Sequence, residues 1–145
     1  MKEKKIVIID GQGGKIGRLL IEQWKASAFP QPYEIYAIGT NSTATAAMLK
    51  AGADYGATGE NPVVVACRDA DVVVGPLGII AADSLLGEVT PAMAVAVGQC
   101  PAPKILLPIN RCNHFVIGLQ PLAIGEQISL AVQRMGEVLR TDEKA

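Results

Sequence analysis

Directly after a short apolar run, residues 10–17 read Asp-Gly-Gln-Gly-Gly-Lys-Ile-Gly. The spacing G-x-x-G-x-x-G is met by Gly11, Gly14 and Gly17, whereas G-x-G-x-x-G would need a glycine where Ile16 stands. Such a loop suits a phosphate. Gly11 is expected to permit the tight turn, Gly13 and Gly14 to let backbone N–H groups approach an anion, and Gly17 to bring the following helix close to the sheet. The helix start adds partial positive charge. The candidate cofactor-binding residues here are Gly11, Gln12, Gly13, Gly14, Lys15 and Ile16. Asp10 stands at the mouth of the loop, where a carboxylate would repel an arriving phosphate. Either it accepts hydrogen bonds from the loop amides, or a Mg²⁺ ion bridges it to the ligand, or the ligand carries no phosphate. Asp10 is also a weak catalytic candidate.

Three further segments carry polar chemistry. Gly39-Thr40-Asn41-Ser42 follows a second apolar run. A dinucleotide domain usually ends that strand with an acid for the ribose or places an arginine nearby for a 2′-phosphate. Neither is here, although the amide and hydroxyls can still bind ribose or phosphate oxygens or cap a helix. Gly75-Pro76-Leu77-Gly78 follows another buried run and is expected to offer backbone amides at the same edge, extended by Asp83, Ser84 and Glu88. Asn110-Arg111-Cys112-Asn113-His114 gathers amides, a cation, a thiol and the chain's single histidine. Asn110 joins the cofactor candidates, and Cys112 and His114 are weak catalytic candidates because residues two apart on an extended segment point the same way. An exposed turn is the plainer reading of that segment. One histidine and scattered cysteines assemble no metal set.

These segments are positioned by alternating elements. Lys5–Asp10, Glu34–Gly39, Asp54–Ala57, Asp71–Pro76 and Lys104–Ile109 read as strands, and Phe115–Leu119 as a candidate sixth. The first, rich in β-branched residues and stopped by Gly11, has the pattern of a strand buried on both faces. Helices follow the glycine loop, begin at Ser42 or Thr43 and close at Gly52, run over 62–69 behind an Asn61 cap, start at Thr90-Pro91, and span Ala123 to about Arg140. The last carries Ile124, Ile128, Ala131, Met135 and Val138 on one face. Strand–helix alternation over 145 residues predicts one domain, 1–145, of three-layer, doubly wound α/β architecture with a mostly parallel, Rossmann-like sheet. Ligands of such folds bind outside the carboxyl ends of the strands.

Composition narrows the function classes. The chain is 50% hydrophobic with a net charge of −1, so no basic surface points to a nucleic-acid partner. Between Val72 and Pro103 the only charges are Asp83 and Glu88, but glycines and prolines break the stretch well below spanning length, and no membrane partner is expected. So uncharged a region predicts a covered surface and hence a homo-oligomer, with Ile79, Ile80, Leu85 and Leu86 at the contact. The charged amino terminus and short first apolar run do not read as a signal peptide, so a cytoplasmic location is expected. Cys67, Cys100 and Cys112 are read as reduced thiols.

The glycine loop resembles that of Rossmann-type NAD(P)-dependent reductases, and Ala46–Asp54 is similar to the second helix and third strand of medium-chain dehydrogenase cofactor domains. With D-G-Q-G-G at 10–14, I-G-T-N-S at 38–42, A-G-A-D at 51–54, G-A-T-G-E-N at 56–61, G-P-L-G-I-I at 75–80 and I-N-R-C-N at 109–113, the chain resembles an uncharacterised bacterial family of small proteins, a domain of unknown function. That resemblance implies a compact Rossmann-like protein and transfers no activity. Two functions are therefore expected as alternatives. The first is binding of a nucleotide or dinucleotide, NAD or NADP among them, with the phosphate on the Gly11–Gly17 loop; NAD(P)-dependent oxidoreduction is the leading enzymatic option. The second is a non-enzymatic oligomeric sensor or accessory subunit for a small anionic metabolite.

Overall fold

Five strands and five helices alternate along the chain in a computed structural model that describes residues 2–109 and 113–141. The strands are β1 (Lys4–Asp10), β2 (Tyr33–Gly39), β3 (Tyr55–Thr58), β4 (Val72–Pro76) and β5 (Lys104–Leu107). The helices are α1 (Lys15–Ala26), α2 (Ser42–Ala51), α3 (Glu60–Cys67), α4 (Pro91–Gln99) and α5 (Ile124–Thr141). The sheet order is β3-β2-β1-β4-β5, and every pair is parallel. The expected doubly wound α/β fold is therefore present, with strand order reversing between β1 and β4.

The strand period of two divides the core. Ile6 and Ile8 of β1 face a layer built from α1, α2 and α5, where Leu20, Ile21, Trp24, Met48, Ile128 and Met135 are buried. Val7 and Ile9 face the opposite layer of α3 and α4, with Val63, Met93 and Val97. β1 lies between two neighbours, pairing Ile8 with Ala37 on one side and Val74 on the other. An almost unbroken apolar run is what a strand covered on both faces requires.

Boundaries shift for local reasons. The cap of α2 is Asn41, not Ser42 or Thr43, because the Asn41 side chain accepts the Ala44 amide at 2.8 Å. Gly52 closes that helix with φ 117°, as a C′ glycine does. α3 begins at Glu60 rather than 62, behind Gly59 at φ 105°, which leaves Pro62 within the first turn, where its missing N–H has no intrahelical partner to lose. Thr90 caps α4 as expected, its Oγ1 accepting the Met93 amide at 3.2 Å. β5 stops at Leu107. The candidate sixth strand is not a strand. Residues 115–119 lie outside the sheet, with Phe115 85% and Ile117 95% exposed and Gly118 turned to φ 86°.

Close approach explains two loop glycines. A Cβ on Gly17 would collide with the Met48 side chain of α2, so this glycine lets α1 meet α2 rather than the sheet alone. Gly14 caps α1 with φ 77°, and a Cβ there would come within 2.9 Å of the Ala44 backbone. Gly14→Ala is expected to cost about 1–3 kcal/mol, from the strained backbone and the clash together. Gly13→Ala, with nothing within 4 Å of the added Cβ, is expected to stay within about 0.5 kcal/mol of the native chain. Urea denaturation midpoints compare the two.

Candidate functional site

β1 delivers Asp10 to the carboxyl edge of the sheet at the point where strand order reverses. Asp10 is buried, 5% exposed. Its Oδ1 accepts the Gly11 amide at 2.8 Å and its Oδ2 the Gly17 amide at 2.8 Å, and the Ile16 amide adds to the stabilisation of its charge. The carboxylate thus caps the first turn of α1, the hydrogen-bonding role foreseen as one alternative. Both oxygens are engaged by backbone, which is poor geometry for a bridging Mg²⁺. Burial pushes the Asp10 carboxyl above its ordinary range, the three amides pull against that, and the charge of Glu88 adds a smaller upward push.

The glycine loop is a turn closed by the Gly14 amide on the Gly11 carbonyl at 3.0 Å. Its left-handed residues are Gln12 (φ 50°) and Gly14 (φ 77°), so Gly11 is not where positive φ is needed. Gly11 is glycine for space. A Cβ on it would stand 2.6 Å from Thr40 Oγ1, 2.7 Å from Glu88 Oε1 and 2.9 Å from Leu85 Cδ1.

Glu88, expected from sequence only as an extension of the Gly75–Gly78 segment and not among the cofactor-binding candidates, reaches the glycine loop itself. Its Oε1 accepts three hydrogen bonds: from the Gln12 amide at 3.0 Å, from Thr40 Oγ1 at 2.6 Å and from Asn41 Nδ2 at 3.0 Å. Asn41 Nδ2 also donates to the Gln12 carbonyl at 2.9 Å. The strained Gln12 peptide is therefore held at both its amide and its carbonyl. The Thr40 hydroxyl leads the hydrogen bonds that hold the Glu88 carboxyl below the usual glutamate range. One signal for it existed in the sequence: Glu88 is one of two charges in the stretch from Val72 to Pro103.

Thr40 and Asn41 are thus committed to Glu88 and to the α2 cap, while Ser42 is exposed in the first turn of α2 and Gly39 is buried against Thr45. Gly75, Pro76 and Gly78 are buried, and Leu77 opens the short 3₁₀ turn Leu77–Ile80. Gly78 packs under Ser84, whose hydroxyl donates to its carbonyl, so this segment braces the following loop. Ile79 and Leu85 belong to the chain's own core, and Ile80 and Leu86 are exposed. His114 is exposed. Asn110, Arg111 and Cys112 lie outside the described residues. Cys67 and Cys100 are free thiols as read, Cys100 Sγ donating to the Cys67 carbonyl at 3.1 Å. Burial, then the neighbouring Cys100, push the Cys67 thiol up to about 11, far from a reactive thiolate.

The amides of Gly11 and Gly17 go to Asp10, with that of Ile16 turned toward the same charge, that of Gln12 to Glu88 and that of Gly14 to Gly11. Among the described residues the amides of Gly13 and Lys15 have no acceptor. Both residues line a cavity of about 210 Å³ beside the loop, with Ile109 and Ile124 on its far wall. Most of the expected phosphate cradle is thus occupied by the chain's own carboxylates, and the open donors lie at its Gly13–Lys15 side.

A fully parallel doubly wound sheet with a glycine turn at its switch point defines a Rossmann-like α/β domain. Within that class, the chain belongs to the DUF3842 family, a domain of unknown function, whose model matches residues 5–140. No curated protein matches the chain. A chain in the crystal structure of a dodecameric FMN-dependent UbiX-like decarboxylase from Escherichia coli O157:H7 is similar at 18% identity and a TM-score of 0.39, over 90% of this chain and 76% of that one. So distant a likeness transfers neither ligand nor reaction. No helix among the described residues is long and apolar enough to cross a membrane.

The lowered Glu88 carboxyl contributes stability above the ordinary glutamate range, and that contribution is lost as pH falls through its folded-state value. Asp10, shifted upward chiefly by burial, contributes the opposite slope in both the native chain and Glu88→Gln, slightly less in the variant because the small push from the Glu88 charge is gone. Thermal melts from about pH 6 down to about pH 3 are expected to show a shallower loss of Tm for Glu88→Gln than for the native chain.

Proposed function

We propose that the protein binds a nucleotide or dinucleotide at the carboxyl edge of its sheet, with a phosphate on the Gly11–Gly17 loop at its Gly13–Lys15 side. The observation that carries this reading is the pairing of two amides without acceptors and the exposed Lys15 side chain beside a cavity at the topological switch point. The helix start contributes favourably to an anion there, and Lys15 supplies full positive charge. Asp10 has a structural part in this scheme: it pins α1 to the end of β1 so that Gly13 and Lys15 stay turned to the cavity. Whether NAD, NADP or another nucleotide occupies the site, and whether an oxidoreduction follows, is set by groups beyond the loop.

A second reading draws on the same geometry. Because Asp10 and Glu88 take most of the loop's donors, the remaining seat suits one anionic group, as a sensor or accessory subunit for a small anionic metabolite would need.

A thermal-shift panel of NAD, NADP, ATP, AMP, coenzyme A and phosphorylated sugars, with and without Mg²⁺, separates the readings. A nucleotide ligand raises Tm by mass action, equivalent to about 2.7 kcal/mol at a hundredfold excess over Kd. Gly13→Val, at a position with open space around it, is expected to abolish that rise while leaving the Tm of the ligand-free protein within about 2 °C. A panel in which no nucleotide shifts Tm overturns the nucleotide reading, and a shift from a sugar phosphate alone favours the metabolite reading. Asp10→Asn is expected to leave ligand affinity independent of added Mg²⁺, as in the native chain.

A further inference from the structure

We infer that Glu88 selects a ribose bearing its free vicinal diol and rejects one phosphorylated on the 2′ oxygen; the inference rests on the nucleotide-binding reading above. β2 ends in Gly39 and is followed by Thr40, Asn41 and Ser42, so that strand itself supplies no acid at its tip. The connection from β4 to α4 supplies one from elsewhere in the chain. Glu88 reaches across to the residues at the tip of β2 and to the glycine loop at once, through Thr40, Asn41 and Gln12.

The two carboxylate oxygens have different tasks. Oε1 is filled by three donors and fixes the orientation of the group. Oε2 has no partner among the described residues, and no lysine or arginine among them pairs with Glu88. An ionised oxygen with open lone pairs accepts hydroxyl hydrogens, and a diol presents two of them. A phosphate dianion in the same place would meet like charge, and among the described residues no lysine or arginine pairs with Glu88 to offset it.

The segment that carries Glu88 is held in an unfavourable backbone to do so. Asp83, Leu85 and Leu86 have φ of 66°, 55° and 57°, and Gly87 has φ 85°. Three non-glycine residues in the left-handed region cost about 1 kcal/mol or more each, which persists only where surrounding contacts enforce it. Those contacts are present: the Asp83 amide donates to the Val89 carbonyl at 2.7 Å, Ser84 Oγ donates to the Gly78 carbonyl, and Leu85 is buried. Their joint effect is to seat one carboxylate beside Gln12. Gln12 lines the Gly13–Lys15 cavity while Glu88 stands outside its lining and holds the Gln12 amide, so the acid and the open donors meet at that one residue, as the ribose and phosphate of one ligand would need.

Isothermal titration of the full chain with ADP-ribose, with its 2′-phosphate and with its 2′-deoxy analogue tests this. ADP-ribose is expected to bind, and both altered ribosides to bind about tenfold more weakly or worse. In Glu88→Gln the preference over the 2′-phosphate is expected to fall to near unity. Should Glu88→Gln fail to fold, Thr40→Val removes one orienting donor, keeps the charge, and is expected to reduce the preference over the 2′-deoxy analogue. Equal affinity of the native chain for ADP-ribose and its 2′-phosphate, or a preference that survives Glu88→Gln, overturns the inference and leaves nucleotide binding standing. Absence of binding by all three ligands overturns both.

Discussion

The buried Asp10 carboxylate joins the end of β1 to the first turn of α1, and the placement of the glycine loop and of α1 against α2 follows from that join. One oxygen takes the Gly11 amide and the other the Gly17 amide, so the intervening loop is tied at both ends. A buried charge is costly unless hydrogen-bonded, and here the bonding partners are helix-start amides that would otherwise lack acceptors. Because α1 is anchored in this way, Gly14 can lie against the Ala44 backbone and Gly17 against Met48, which draws α1 and α2 together. The close approach of those helices brings Asn41, the cap of α2, within reach of the Gln12 carbonyl at 2.9 Å.

A second carboxylate completes the edge from the other face of the sheet. Glu88 arrives on the loop between β4 and α4 and takes the Gln12 amide together with Thr40 and Asn41. Connections from three strands therefore converge on one peptide. Such a loop resembles a phosphate cradle in sequence, yet its donors divide into those satisfied internally and those left at Gly13 and Lys15. The division leaves open donors on one side of the loop and puts negative charge on the other. A ligand that suits both sides must be anionic at one end and rich in hydroxyls at the other, and that polarity links the two proposals made above.

Much of the architecture was legible from local pattern. Apolar runs such as Ile6–Ile9 and Val72–Val74 mark strands buried on both faces, and Thr90-Pro91 marks a helix start, because these signals depend on near neighbours alone. Where the reading slipped, a longer-range partner was involved. Phe115–Leu119 has strand-like residues but pairs with neither edge of the sheet, and Gly118 turns within it at φ 86°. Gly75 and Gly78 are buried glycines with no room for a side chain, the first against the Ile9 backbone and Ile79 and the second against Ser84.

By itself the sequence determined the alternation of strands and helices, the glycine turn after β1 and the acid that precedes it, since each is a matter of residue type and short spacing. Only the tertiary structure decided which donors the turn keeps for itself. Glu88 is 76 residues from Gln12 along the chain, and no local pattern encodes a contact that exists only once β4 lies beside β1. Sequence spacing can place backbone amides in a loop; whether they remain open depends on which distant carboxylate the folded sheet carries to them.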